Sequence, residues 1–371
     1  MSKNRLFDDF ASMSKAEWFE MVSKDPRSAN LLDKLDWHVA GVSMPAYATR
    51  EDLEESASAR NDTMPTVSWA YPGSWKIAQA FKGHHTAKDF RQALDAGTEA
   101  IWIEADAASG NEIDLNNLSP SLFHLNGAAF ELDAGLKLVN HLATQPGSIS
   151  ILTSNDTHVS TQLLKDLWAA KIGRSLSIHI AGAATRQQSK GTIEELSNAL
   201  NIFNQFHTQF KQADLNLTTL LASVQFVFTT STSFYLEIAR LRAFRLLLSK
   251  LICELSPAFT STVSIPFIAD VPCDTDVDDV HSNILRSTTM AMAAVLGGCE
   301  LVITHPFSGD HTDASAVRIA RNIQLMLKHE SHLDHVADPG AGSFYIETLT
   351  QKLASEAWTQ FLTNRDTPAL I

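Results

Sequence analysis

From about residue 76 to residue 329, short apolar runs alternate with longer amphipathic stretches, and this alternation constrains the chain more than any other feature. Eight runs have the length and the β-branched or aromatic content of buried strands: 76–81, 100–105, 128–133, 148–153, 175–180, 224–229, 263–270 and 301–305. Helical periodicity fills the gaps, at 86–96, weakly at 119–125, and then at 136–144, 157–170, 192–210, 233–255, 282–296 and 314–329. Asp156 and Asp313 stand where helices should start, and Thr192 with Glu195 has a capping-box spacing. Gly97 and Gly297 stand at helix exits, where a positive φ is often needed. Parallel strands joined by helical crossovers close into a barrel or stay open as a doubly wound sheet. An open dinucleotide-type sheet would carry G-x-G-x-x-G after its first strand, and none occurs. Eight strands with eight helices predict an α/β chain folded as a (β/α)8 TIM barrel, preceded by a helical and extended arm.

Three segments are expected: an arm at 1–65, the barrel at 66–350, and a C-terminal helix with the start of a linker at 351–371. In the arm, Ser14 and Glu17 form a capping box ahead of Trp18, Phe19 and Met21. The rest of the arm is polar, with one apolar stretch at 35–46 and an acidic patch at 51–55. It is either a solvated lead-in or a contact for a partner; the partner contact is the reading adopted.

Charge excludes some functions. With 42 acidic against 29 basic residues and a net charge of −13, neither nucleic acid nor a membrane surface is an expected partner. No apolar run approaches the ~18 residues of a membrane span. The acids in MSKNRLFDDF argue against an export signal. Cys253, Cys273 and Cys299 lack disulfide or C-x-x-C spacing and read as reduced thiols, so the expected location is cytoplasmic.

A barrel places its chemistry at the C-terminal ends of its strands. That rule selects Glu104, Asp106, Glu131, Asp133, Asn155, Asp156, residues 229–232, Asp270 and His305. The run Asp270, Asp274, Asp276, Asp278, Asp279 and His281, taken with His305, Asp310 and His311, reads as a metal site or as a solvated loop capping the next helix. The absence of H-x-H, H-E-x-x-H or a calcium-loop pattern favours the loop. His329, His332 and His335 lie at a helix exit, where imidazole suits the dipole. No G-x-S-x-G elbow is present, and nothing near Cys253 would depress its pKa. Arg240, Arg242 and Arg245 follow a Ser/Thr-rich loop; they read as salt bridges on an outer helix face in preference to a phosphate site.

Several segments, in order, resemble the barrel of methylmalonyl-CoA mutases. They are Ser74-Trp75-Lys76-Ile77-Ala78-Gln79 with Thr86-Ala87, FYLEIARLRA at 234–243, Arg286-Ser287-Thr288 with AMAAVLGG at 291–298, VRIARN at 317–322, and Val336-Ala337-Asp338-Pro339 with Gly342-Ser343 and Glu347. The arm, with LFDDFASMSKAEWFEMV, Lys34-Leu35-Asp36-Trp37 and Arg50-Glu51-Asp52-Leu53, resembles the start of the small subunit of bacterial two-subunit mutases. The resemblance implies a heterodimer in which a large subunit carries adenosylcobalamin and the acyl-CoA substrate. The small subunit shares its fold and assists assembly, with self-association as the outcome when the partner is missing.

Departures from the active pattern are specific. The family's cobalamin domain bears D-x-H-x-x-G; Asp156-Thr157-His158 and Asp279-Val280-His281 begin that way but lack the Gly. The substrate-side Y-x-x-R-P-W is altered, with Ala70 for Tyr and Gly73-Ser74 for Arg-Pro. Where the family has Y-H-M-Q-E-A-G, this chain has Thr185-Arg186-Gln187-Gln188-Ser189-Lys190-Gly191. At the second strand, S-V-A-F-D becomes Trp102-Ile103-Glu104-Ala105-Asp106. Alternate strand residues share a face, so Trp102, Glu104 and Asp106 would point together into an axis that active mutases keep open for coenzyme A. A buried Glu104 would need a partner, and Lys76 is the candidate. The plug or pocket candidates are thus Trp102, Glu104, Asp106, Thr185, Arg186, Gln188, Asp270 and His305. No catalytic, cofactor or metal residue is assigned, and no independent mutase activity is expected. The alternatives are an acyl-CoA-binding barrel completed by a separate cobalamin domain, and an unrelated metal-dependent hydrolase.

Overall fold

The computed structural model describes residues 13–25, 37–45, 47–56, 67–68, 75–82, 85–104, 123–126, 149–153, 176–181 and 191–365. The arm begins with α1 (Lys15–Lys24), where Ser14 and Glu17 make the expected capping box. It continues with a hairpin of β1 (Trp37–Val39) and β2 (Val42–Met44) and with α2 (Arg50–Ser56). Ala40 and Gly41 join the two strands at φ 52° and 83°, the signs a two-residue type I′ turn requires.

Eight parallel strands then close a barrel: β3 (Lys76–Lys82), β4 (Ala100–Glu104), β5 (Phe123–Asn126), β6 (Ile149–Thr153), β7 (Leu176–Ala181), β8 (Val224–Thr229), β9 (Phe267–Val271) and β10 (Leu301–Thr304). Closure is made by β10 on β3, with Leu301 beside Lys76 and Ile303 beside Ala78. The described helices are α3 (Ala87–Asp95), α4 (Thr192–Gln212), α5 (Leu217–Leu221), α6 (Phe234–Leu255), α7 (Ser282–Leu296), α8 (Ala314–His329) and α9 (Phe344–Arg365).

Burial alternates along β8. Val224, Phe226 and Phe228 are buried, and Gln225, Val227 and Thr229 are half-buried. The first set faces the helices, where Phe226 meets Phe244 of α6 at 4.7 Å between ring centroids and Phe203 of α4 at 6.2 Å. α6 is buried on nearly every side, because α7 lies over it as closely as backbone allows. A Cβ on Gly297 would come within 2.5 Å of Leu241 Cδ1. Gly298, and not Gly297 as expected, takes the positive φ, at 86°.

Other expectations are corrected. β5 occupies Phe123–Asn126, overlapping the stretch at 119–125 read as a weak helix. Four residues with two apolar side chains show too few repeats to distinguish the two periods. The strand expected at 128–133 and the helices at 136–144 and 157–170, with Asp156, lie outside the described residues. The N-cap of α4 is Gly191, and Glu195 forms an ion pair in place of a capping box. The boundary placed at residue 350 falls inside α9, whose buried Leu349, Leu353, Ala357 and Phe361 recur every fourth residue against the barrel's own helices.

The arm is also partly committed to this chain. Met44 is fully buried, Val42 and Met44 join the main core, and Lys352 on α9 donates to Ser43 O at 2.7 Å. The hairpin therefore packs on its own barrel, while α1 buries none of its residues. Among the described residues no helix is long and apolar enough to cross a membrane.

Candidate functional site

The strand register defines what lines the barrel axis. Ala80 pairs with Trp102, Ala78 with Ala100, Val227 with Ile268, and Ile268 with Leu301. Ala78, Ala80, Ala100, Trp102, Ile268, Leu301 and Ile303 form one buried cluster, with Val227 packed against it. Trp102 is 2% exposed and is among the largest fully enclosed side chains described. Three alanines on β3 and β4 surround it, so the indole takes the space that longer side chains would fill in an ordinary barrel.

Glu104 ends β4 in register with Lys82 of β3 and Asn126 of β5. The suggested partner Lys76 is six residues from Lys82, at the opposite end of β3 and in register with Leu301. At roughly 3.3 Å per strand residue that separation is far beyond an ion pair. Lys82 is therefore the lysine in register with Glu104; the alternation of Lys76, Ala78, Ala80 and Lys82 along one strand face carried that signal. Asp106, Thr185, Arg186 and Gln188 lie outside the described residues.

At the C-terminal mouth, the strand-end rule selects two residues that the fold brings together. Asp270 Oδ1 is 2.7 Å from His305 Nε2, and Thr229 Oγ1 donates to Asp270 Oδ2 at 3.4 Å. His305 Nδ1 lies 3.3 Å from His311 Nε2, and His311 Nδ1 lies 3.3 Å from Ala80 O. A carbonyl only accepts, so His311 donates from Nδ1. His305 thus links the Asp270 carboxylate to His311, whose other ring nitrogen reaches the Ala80 carbonyl. This is a hydrogen-bonded relay from the axis toward the loop after β10. His305 uses its two ring nitrogens in opposite directions, one toward Asp270 and one toward His311.

The neighbouring acids do not join it. Asp274, Asp276, Asp278 and Asp279 are exposed on the loop before α7. Asp310 accepts from the Thr312 hydroxyl and N–H, which hold its carboxyl below the usual range. Burial pushes the thiols of Cys273 and Cys299 up, away from the reactive thiolate.

The three arginines of α6 are paired, as expected, but they are buried and not on an outer face. Arg240 bridges Glu195 of α4 and Glu237 of α6, each at 2.5 Å, and donates to Thr229 O at 3.1 Å. Its flanking carboxylates outweigh its burial and raise its pKa further. Arg242 holds Glu347 at 2.6 Å and Asp338, and Arg245 donates to Ser68 O at 2.6 Å, to Gly298 O and to Glu300. This frame fixes the helices behind β8, β9 and β10 and leaves no guanidinium for phosphate.

Comparison with known proteins identifies the architecture. The family model for methylmalonyl-CoA mutase matches residues 154–365, more than half of the chain. The chain belongs to the methylmalonyl-CoA mutase family. A methylmalonyl-CoA mutase small subunit from Porphyromonas gingivalis is 26% identical over 98% of this chain and 65% of its own length. The small and large subunits from Streptomyces virginiae are 34% and 31% identical, over 50% and 54% of this chain and 29% and 28% of their own lengths. The chain thus spans about two thirds or less of these mutase relatives. Family membership also gives the close packing at Gly297 a context, since AMAAVLGG is one of the segments that carried the resemblance.

Of the two segments that begin like a cobalt-binding motif, one is described. Asp279 and His281 sit on an exposed loop, 3.6 Å apart, and the His281 ring lies against Phe307 at 5.1 Å. The other candidate, 156–158, lies outside the described residues.

Proposed function

We propose that this chain is a small-subunit-like component of a methylmalonyl-CoA mutase, without catalysis of its own, that stabilises a large subunit bearing adenosylcobalamin. The partner would interconvert methylmalonyl-CoA and succinyl-CoA. The observation that carries this reading is Trp102, enclosed among alanines and aliphatic side chains on the barrel axis. A coenzyme A chain threaded along that axis would have to displace the indole. The alignment of nearly the whole chain with a protein named as a small subunit supports the same assignment. The cobalt-centred radical chemistry belongs, in this reading, to the partner.

A second reading has one observation in its favour. The Asp270–His305–His311 relay is intact at the mouth, where an acyl group would enter. It makes the chain the acyl-CoA-binding barrel of a split enzyme completed by a separate cobalamin domain. Calorimetric titration with methylmalonyl-CoA and succinyl-CoA separates the two. No saturable binding to the folded chain, together with a stable 1:1 complex on mixing with a cobalamin-bearing large subunit, is expected. Saturable acyl-CoA binding by the chain alone would transfer the assignment to the second reading, and failure to form the complex would end the first.

A further inference from the structure

The exit of α8 brings three ligand-type side chains together on the side of the barrel away from the mouth. Lys328, in the last turn of α8, donates to Trp75 O at 2.9 Å and to Glu99 at 2.8 Å, just before β3 and β4 begin. The helix therefore ends at the N-terminal ends of the strands. The chain then turns through His332, which holds a left-handed φ of 52°, and His335 N–H donates to His332 O at 3.2 Å. The turn stacks the two imidazoles, with centroids 4.8 Å apart and an interplanar angle of 21°. Asp334 lies between them in sequence. Its Oδ1 is buried and has no hydrogen-bond partner, and His335 Nε2 stands 3.7 Å away. One ligand atom from each of His332, Asp334 and His335 lies within 4.8 Å of the others.

We propose that His332, Asp334 and His335 bind a divalent transition-metal ion, with Zn2+ the best chemical match. Two imidazole nitrogens and one carboxylate oxygen form a borderline-soft donor set of the kind zinc takes. A tetrahedral site with Zn–N of about 2.0–2.1 Å separates its ligand atoms by about 3.3 Å. His332 and His335 are exposed, so their side chains are the groups that would rotate to close the remaining gap. The ion also supplies what Asp334 lacks, since a buried carboxylate oxygen without a donor is costly. Three protein ligands leave one position for water. The place is opposite the mouth, away from Asp270 and His305, and the role proposed for the ion is to hold the fold. It fastens the α8–α9 connection between Leu333, which packs on the main core, and Asp338, which pairs with Arg242.

The site is tested on the intact chain after treatment with a chelator. Calorimetric titration with Zn2+ should show one saturable equivalent and a raised melting temperature, and Co2+ should give a d–d absorption band of low coordination number. His335→Ala and Asp334→Asn should each weaken Zn2+ binding at least tenfold, with circular dichroism unchanged. Substitution of His305 and His311 by Ala should leave the affinity where it was. The proposal fails if no saturable equivalent is seen, if the two site variants bind as the original chain does, or if only the His305 and His311 changes abolish binding. None of these outcomes depends on whether the chain assists a mutase.

Discussion

Trp102 lies among Ala78, Ala80 and Ala100, and its value to the fold depends on how little those neighbours can move. Strand backbones bonded on both sides cannot collapse into the space an indole leaves. Trp102→Ala should therefore cost near the top of the usual range for such truncations, about 3–5 kcal/mol, measured by urea unfolding followed by circular dichroism. A loss below about 1 kcal/mol would mean that the axis is not packed by this residue. Its position was legible in advance, because period-two alternation puts residues 100, 102 and 104 on one face and the barrel gives that face one direction. Asp270 and His305 were legible for the same kind of reason, as residues at strand ends. Their hydrogen bond was not, because it joins side chains 35 positions apart. His311 was visible only as one member of a diffuse acidic cluster. It reaches the relay through the conformation of the loop after β10, which no period encodes.

At the level of elements, α6 shows how charge misleads a reading of faces. Arginine defaults to the surface, so three of them in six residues marked an exposed side. The structure buries all three, because their acids arrive from α4, from the segment before α9, from the first turn of α9 and from the approach to β10. The helix itself was legible from 233 to 255; its partners, up to 105 residues away, were not. Energetically such a pair is asymmetric. Removing Arg240 alone strands two buried carboxylates, and Arg240→Met should cost about 3–5 kcal/mol in denaturant unfolding. Replacing Glu195 and Glu237 by Leu in the same chain removes the stranded charges along with the pair. The triple variant should recover most of that loss. If it unfolds as readily as Arg240→Met, the carboxylates are not the source of the cost, and the packing of the guanidinium over Phe228, 5.3 Å from the ring centroid, becomes the explanation. β5 is the opposite case, an element missed because four residues are too short a sample of any period.

Across the whole molecule, the arm decides how much surface remains for a partner. Sequence composition left it open between a solvated lead-in and an external contact, and the structure divides it. The hairpin is part of the core through Val42 and Met44, while α1 is held by Lys15 to Asp52 and by Trp18 against Tyr47, with Met13 and Met21 exposed. The hairpin was hard to foresee because its turn is Ala-Gly, without the Asn or Asp that usually announces a two-residue turn. If an arm docked this way opens as a unit without unfolding the barrel, the cost of disrupting it is capped by its own docking energy. Met44→Asp places a carboxylate in the main core, and undocking is the cheaper response to that burial. The expected outcome is faster proteolytic cleavage before residue 67, with the urea midpoint of the remaining barrel nearly unchanged. If the variant instead lowers the unfolding free energy of the whole chain by about 3 kcal/mol or more with no gain in cleavage, arm and barrel form one cooperative unit. The same variant bears on assembly. If the docked arm presents α1 to the large subunit, Met44→Asp weakens the complex although the barrel stays folded; an unchanged affinity would place the partner's contact on the barrel alone.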